Sequence, residues 1–183
     1  MRNRLREFLI AASRQSRSEM RSSMKIGILA VQGAFAEHEQ MLEQLGAEYI
    51  ELRKGEDVRQ SYDGLILPGG ESTVQGKLMR ELDMFDTIQS QIKNGMPVLA
   101  TCAGAILLAQ QLSNDAATHL ATLPAVVRRN AYGRQLGSFS VDEQIEGIGT
   151  FPMRFIRAPY IEKVLDDTKV LAKVDGNIAV SYT

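Results

Sequence analysis

Apolar residues recur in short blocks separated by polar turns. Lys25–Val31 (KIGILAV) is rich in β-branched residues and stops at Gln32–Gly33, which predicts a buried strand ending in a turn. Ala36–Leu45 places Met41, Leu42 and Leu45 on one helical face, and Gly46 ends it. Glu48–Leu52 and Asp63–Leu67 (DGLIL) are the next strand candidates, the latter closed by Pro68–Gly69–Gly70. Ser72 or Thr73 then caps a helix running towards Leu82, and a second helical stretch from Met84 to Lys93 ends at Asn94–Gly95. Pro97–Thr101 is the fourth strand and Ala103–Gln111 the helix after it. Strands alternating with helices through short Gly-rich turns predict an α/β fold, a parallel sheet covered on both faces. Beyond Pro124, AVVRRNAYGRQLGSFSV and TFPMRFIRAP have the texture of strands and loops. Met79, Met84 and Phe85 are read as ordinary core rather than as part of a partner surface.

With 183 residues, 44% of them hydrophobic, the chain is long enough for one domain with a full core. A net charge of -1 gives no reason to expect nucleic acid as a partner. One cysteine forms no internal disulfide, which points to packing alone and a reducing cytoplasm. No apolar run approaches the length of a membrane span. Charge is unevenly placed, because residues 1–23 hold six arginines and two acids and leave 15 basic and 20 acidic groups in the rest. Residues 1–23 are expected to be a basic, disordered extension outside the fold. Its composition also suits an organelle transit peptide or a start codon placed too early. The domain itself is expected over residues 24–183.

In open sheets of this type, ligands bind outside the carboxyl ends of the strands. Three such ends carry chemistry: Gln32–Gly33, Gly69–Gly70–Glu71–Ser72 and Thr101–Cys102–Ala103–Gly104. A strand running into x-Cys-x-Gly and then a helix is the thiol form of a nucleophile elbow. The sharp turn exposes the side chain, the Ala103 N–H is placed to bind an oxyanion, and the helix N-terminus favours a thiolate. A buried, inert core thiol is the bland alternative. The paired glycines of LPGGEST suit a second backbone donor, although a simple turn and helix cap would use the same residues.

Together LAVQGAFAEH, DGLILPGGEST, ATCAGAILLA, RRNAYGRQLGSF and FIRAP resemble the glutaminase subunits of pyridoxal 5′-phosphate synthase, among the class I (triad) glutamine amidotransferases. The resemblance runs from about Met24 to the end of the chain. It implies a flavodoxin-like three-layer sandwich, a mostly parallel sheet with helices on both faces. It implies that Cys102 attacks the side-chain amide of L-glutamine to give a thioester and ammonia. Gly70, Glu71 and Ser72 would hold the substrate, with Gly70 and Ala103 supplying oxyanion donors. Arg129, Ile156 and Arg157 would complete the glutamine pocket, arginine matching a carboxylate in bidentate fashion. Ammonia would pass to a (β/α)₈-barrel synthase subunit, and the glutaminase reaction needs no cofactor and no metal.

The family takes its base from a His-x-Glu motif after a late strand. The 183 residues hold two histidines, His38 in AEHEQ and His119 in ATHLAT, and neither follows a late strand. Both are expected in structural or solvated roles, His119 in a surface loop. The chain is therefore read as lacking the closing strand and helix with the triad His and Glu, and as severely impaired in the form given. Ala100, where a glycine is common in the family, is expected to be tolerated at a negative φ. The alternatives are a catalytically inactive homologue that at most binds the synthase subunit, or another cysteine hydrolase on the same scaffold. LPGGEST and FIRAP speak against the second of these.

Overall fold

Lys25–Leu29 forms β1, flanked by β2 (Glu48–Leu52) and β3 (Gly64–Leu67), with β4 (Val98–Ala100) beyond β3. The computed structural model describes residues 24–131, 138–156 and 158–183. The expectations for residues 1–23 and for Arg157 lie outside these. The chain divides after Thr101 into two compact units.

In the first unit all pairings are parallel, with Ile26 opposite Tyr49 on one side and Gly64 on the other. Such strands are buried on both faces, which is why KIGIL and GLIL lack alternation. The order β2-β1-β3-β4 means that the crossover through α1 (Phe35–Leu45) runs one way from β1. The crossovers through α2 (Gly55–Val58) and then α3 (Ser72–Glu81) and α4 (Phe85–Lys93) run the other way. Right-handed connections therefore put helices on both faces, and the topological switch point falls between β1 and β3. Against α1, Ile26, Ile28, Leu42 and Ile66 form a core with Phe35 and Tyr49 at its margin. Met79, Met84 and Ile88 are fully buried, so the two methionines are core as expected. Phe85 is half-buried beneath the Arg80 guanidinium, 4.0 Å from its ring centre.

The apolar face expected of α1 is narrower than its sequence suggests. Leu42 is buried, but Met41 and Leu45 are exposed, because the stripe that meets the sheet runs through Phe35, His38 and Leu42. Gly46 closes the helix in the left-handed conformation, with the Ala47 N–H returned to Leu42 O. The cap of α3 also differs: the Glu71 carboxylate accepts from the Thr73 and Val74 N–H groups, and Ser72 is the first helical residue.

The second unit is mostly β. The helix expected to reach Gln111 ends early, as α5 (Ala103–Leu108), because Ala109 turns extended and starts β5 (Ala109–Leu112). Parallel pairing of β5 with β6 (Leu123–Arg128) overrides the local helical preference of AILLAQQL. The sheet continues antiparallel through β9 (Tyr160–Val164), β11 (Asn177–Tyr182) and β10 (Lys169–Val174). Its last hairpin turns at Asp175–Gly176, both at positive φ, the signature of a type I′ turn. A separate hairpin pairs β7 (Phe139–Ile145) with β8 (Gly149–Phe155), Phe139 stacked on Phe155. Ile106, Ala109, Leu112, Val127 and Ile161 make one core cluster here. His119 is not the surface residue that was expected: it lies in the β5–β6 loop but is buried, beside fully buried Leu120, whose N–H bonds to Leu107 O.

Candidate active site

At the switch point of the first unit, the loops after β1 and β3 are tied together. The Ala34 N–H donates to Gly69 O at 2.9 Å, and the Glu71 N–H donates to the Gln32 side-chain oxygen at 2.9 Å. Gln75, fully buried one turn into α3, donates through Nε2 to Gln32 O at 2.9 Å and to Pro68 O at 3.3 Å. The approach is close enough to demand glycine. A Cβ on Gly33, whose φ is +103°, would fall 2.0 Å from Gly69 O, and one on Gly70 would fall 2.6 Å from Gln32 Oε1. Gly70 and Glu71 are exposed at this edge, whereas Ser72 is buried with its hydroxyl unpaired among the described residues.

His38 belongs to the same unit. Its Nε2 lies 3.4 Å from Thr101 Oγ1, and burial lowers its pKa below the usual imidazole value, partly offset by the Glu37 charge. The lowered pKa favours a neutral ring beside the threonine hydroxyl.

In the second unit, Cys102 is the exposed residue between Thr101 and α5. Its backbone sits at φ 47°, ψ -103°, a conformation few L-residues adopt outside strained turns. Ala103 and Gly104 behind it are buried, and Ala100 before it keeps a negative φ. The first N–H groups of α5, starting with Ala103, have no carbonyl partner within the helix. Arg129 is mostly buried rather than a solvated charge, and its guanidinium is paired with Asp115. The Asn114 side chain grips the Arg129 backbone from both sides, accepting from N–H at 3.0 Å and donating to O at 2.9 Å. A backbone bond from Ala117 and the Arg129 charge hold the Asp115 carboxyl below its ordinary pKa. Ile156 follows β8 and is 63% exposed.

The profile of the SNO glutamine amidotransferase family matches residues 28–182. The chain belongs to that family. Among proteins similar to this SNO-family chain are the pyridoxal 5′-phosphate synthase subunits PdxT of Desulfitobacterium hafniense and Streptococcus pneumoniae. The first is 63% identical over 155 residues, 85% of this chain and 78% of that protein. The second is 52% identical over 161 residues, 86% of this chain and 83% of that protein. A solved structure titled as a crystal structure of glutamine amidotransferase superposes with a TM-score of 0.80 at 40% identity, covering 86% of this chain and 84% of that one.

Two site features of this SNO-family chain were not read from the sequence, Gln75 and the Asn114–Asp115 clasp, while Gln32 was read only as part of a strand end. For Gln75 a signal existed. Ser72, Gln75, Gly76 and Met79 occupy one buried stripe of α3, so polar residues stand where a core helix would carry apolar ones. Asn114 and Asp115 gave no local signal, because their partner lies fourteen or more residues away.

Proposed function

We propose that the chain is the glutaminase subunit of a pyridoxal 5′-phosphate synthase, hydrolysing L-glutamine to glutamate and ammonia and passing the ammonia to a (β/α)₈-barrel synthase subunit. The observation that carries this reading is the backbone of Cys102, an exposed thiol held at positive φ where a strand gives way to a helix. Its relatives at 52–63% identity bear the name of that synthase's PdxT subunit.

In this reading Cys102 Sγ attacks the carbonyl carbon of the substrate amide. The oxygen gains negative charge and is met by the N–H groups of Gly70 and Ala103. The C–N bond then breaks, ammonia leaves with the thiol proton, and water hydrolyses the thioester to glutamate. Gly70, Glu71, Ser72 and Ile156 hold the glutamine, and Arg129 and Arg157 bind its α-carboxylate. Arg129 releases or shares Asp115 to do so. Neither His38 nor His119 is assigned as the base in this reading. That favours, as a second reading, a homologue whose retained role is to bind the synthase subunit.

The test is covalent capture. A diazoketone analogue of L-glutamine should add once to the chain, at Cys102, with protection by glutamine and no addition to the Cys102→Ala variant. Labelling that persists in that variant, or that glutamine leaves unaffected, would remove the proposal.

A further inference from the structure

Gln75 is a buried side chain that the glutaminase mechanism does not use. Its position on the core stripe of α3 calls for an apolar residue of similar size, yet an amide is present. Its oxygen has no hydrogen-bond partner among the described residues. A primary amide kept in the core with its acceptor unpaired is there for its donor. Both groups that the amide nitrogen reaches are main-chain carbonyl oxygens, Gln32 O and Pro68 O, one from each loop at the switch point. Two acceptors at that end dictate which way the amide faces. The same nitrogen would stand 3.0 Å from a Cβ on Gly70, so Gly70 is packed directly on it. On the same side of Gly70, Gln32 Oε1 is fixed by the Glu71 N–H.

We infer that Gln75 is a positioning residue for the Gly70 segment: by bonding Gln32 O and Pro68 O it holds together the two loops between which Gly70 lies, alongside the Ala34 N–H that fixes the Gly69–Gly70 peptide through Gly69 O. The inference rests on the proposed role of Gly70 as an oxyanion donor. It predicts that the Gln75 amide matters for binding a tetrahedral oxygen and not for binding substrate. Orientation of a donor affects the charged oxygen of an adduct far more than the planar amide of the ground state.

The γ-aldehyde analogue of glutamine separates the two. Cys102 Sγ bonds to its carbonyl carbon, the carbonyl π bond opens, and the thiol proton ends on the new oxygen, giving a thiohemiacetal without need of an external reagent. Dissociation constants for this aldehyde and for L-glutamine would be measured by calorimetry on the full chain, its Gln75→Leu and Gln75→Glu variants, and Cys102→Ala as control. The wild type should bind the aldehyde at least tenfold more tightly than glutamine. Gln75→Leu should keep glutamine binding within about twofold while losing tenfold or more of the aldehyde preference, and Gln75→Glu, which sets an oxygen against two carbonyls, should lose at least as much. Full retention of the preference in both variants would overturn the inference. So would a parallel loss of both ligands, which marks a general structural pin. A wild type without any aldehyde preference would instead remove the role of Gly70 and Cys102, and the inference with it.

Discussion

Gly33 and Gly46 both stand at positive φ, but they should respond differently to an added methyl group. At Gly46 the space around a Cβ is open, so Gly46→Ala meets only the cost of the left-handed backbone, about 1 kcal/mol. At Gly33 the Cβ meets Gly69 O as well, and Gly33→Ala should lose about 2–4 kcal/mol in urea unfolding. Equal losses for the two would show that the loop at the switch point relaxes freely. His38 gives a second residue-scale expectation, one of pH. Burial lowers its folded pKa below 6.5, so the folded state favours the neutral ring. The contribution is fully present above 6.5 and is lost as pH falls through the folded pKa. His38→Gln should therefore flatten the acid side of the stability curve, and an NMR titration of the wild-type ring should fall below the free imidazole value. A ring titrating above that value would refute the sign. At this scale the Cys102 turn and the Gly69–Gly70 pair were legible, because small residues and a nucleophile at a strand end leave a local signature. The Gln32–Gln75 clamp was not, because hydrogen bonds to main-chain carbonyls place no demand on neighbouring residue types.

Among the elements, β2 was read to the residue although it is a partly buried edge strand, and β1 and β3 were read to within two, because buried parallel strands stand out as short apolar runs beside glycine turns. The errors came where tertiary pairing decides. AQQL continues a helix locally and becomes β5 only because β6 lies beside it. The four-residue α2 is too short for any periodicity to show. Packing gives the test for this level. Ile88 is fully buried in α4, and Ile88→Ala should cost about 2–5 kcal/mol, reported by the midpoint of chemical unfolding. A loss below about 1 kcal/mol would mean that the helix seats less firmly than its burial indicates.

For the whole molecule, family membership and the proposed activity make a claim about rate. The 183-residue chain should release ammonia from glutamine at least about a thousandfold more slowly than it would with a histidine base, while still taking one diazoketone label at Cys102. Rapid ammonia release by this chain alone would mean that one of its two histidines serves as base after all. Among the described residues no helix is long and apolar enough to cross a membrane. The chain has a single cysteine, and it is the exposed residue of the strained turn. Oxidation of a preparation therefore strikes the proposed reactive atom and no other thiol. A chromogenic disulfide reagent, used without denaturant, would then report a stoichiometry that is also a head count of competent molecules. In an ageing sample, the thiol titre and the capacity for glutamine-directed labelling should decline together.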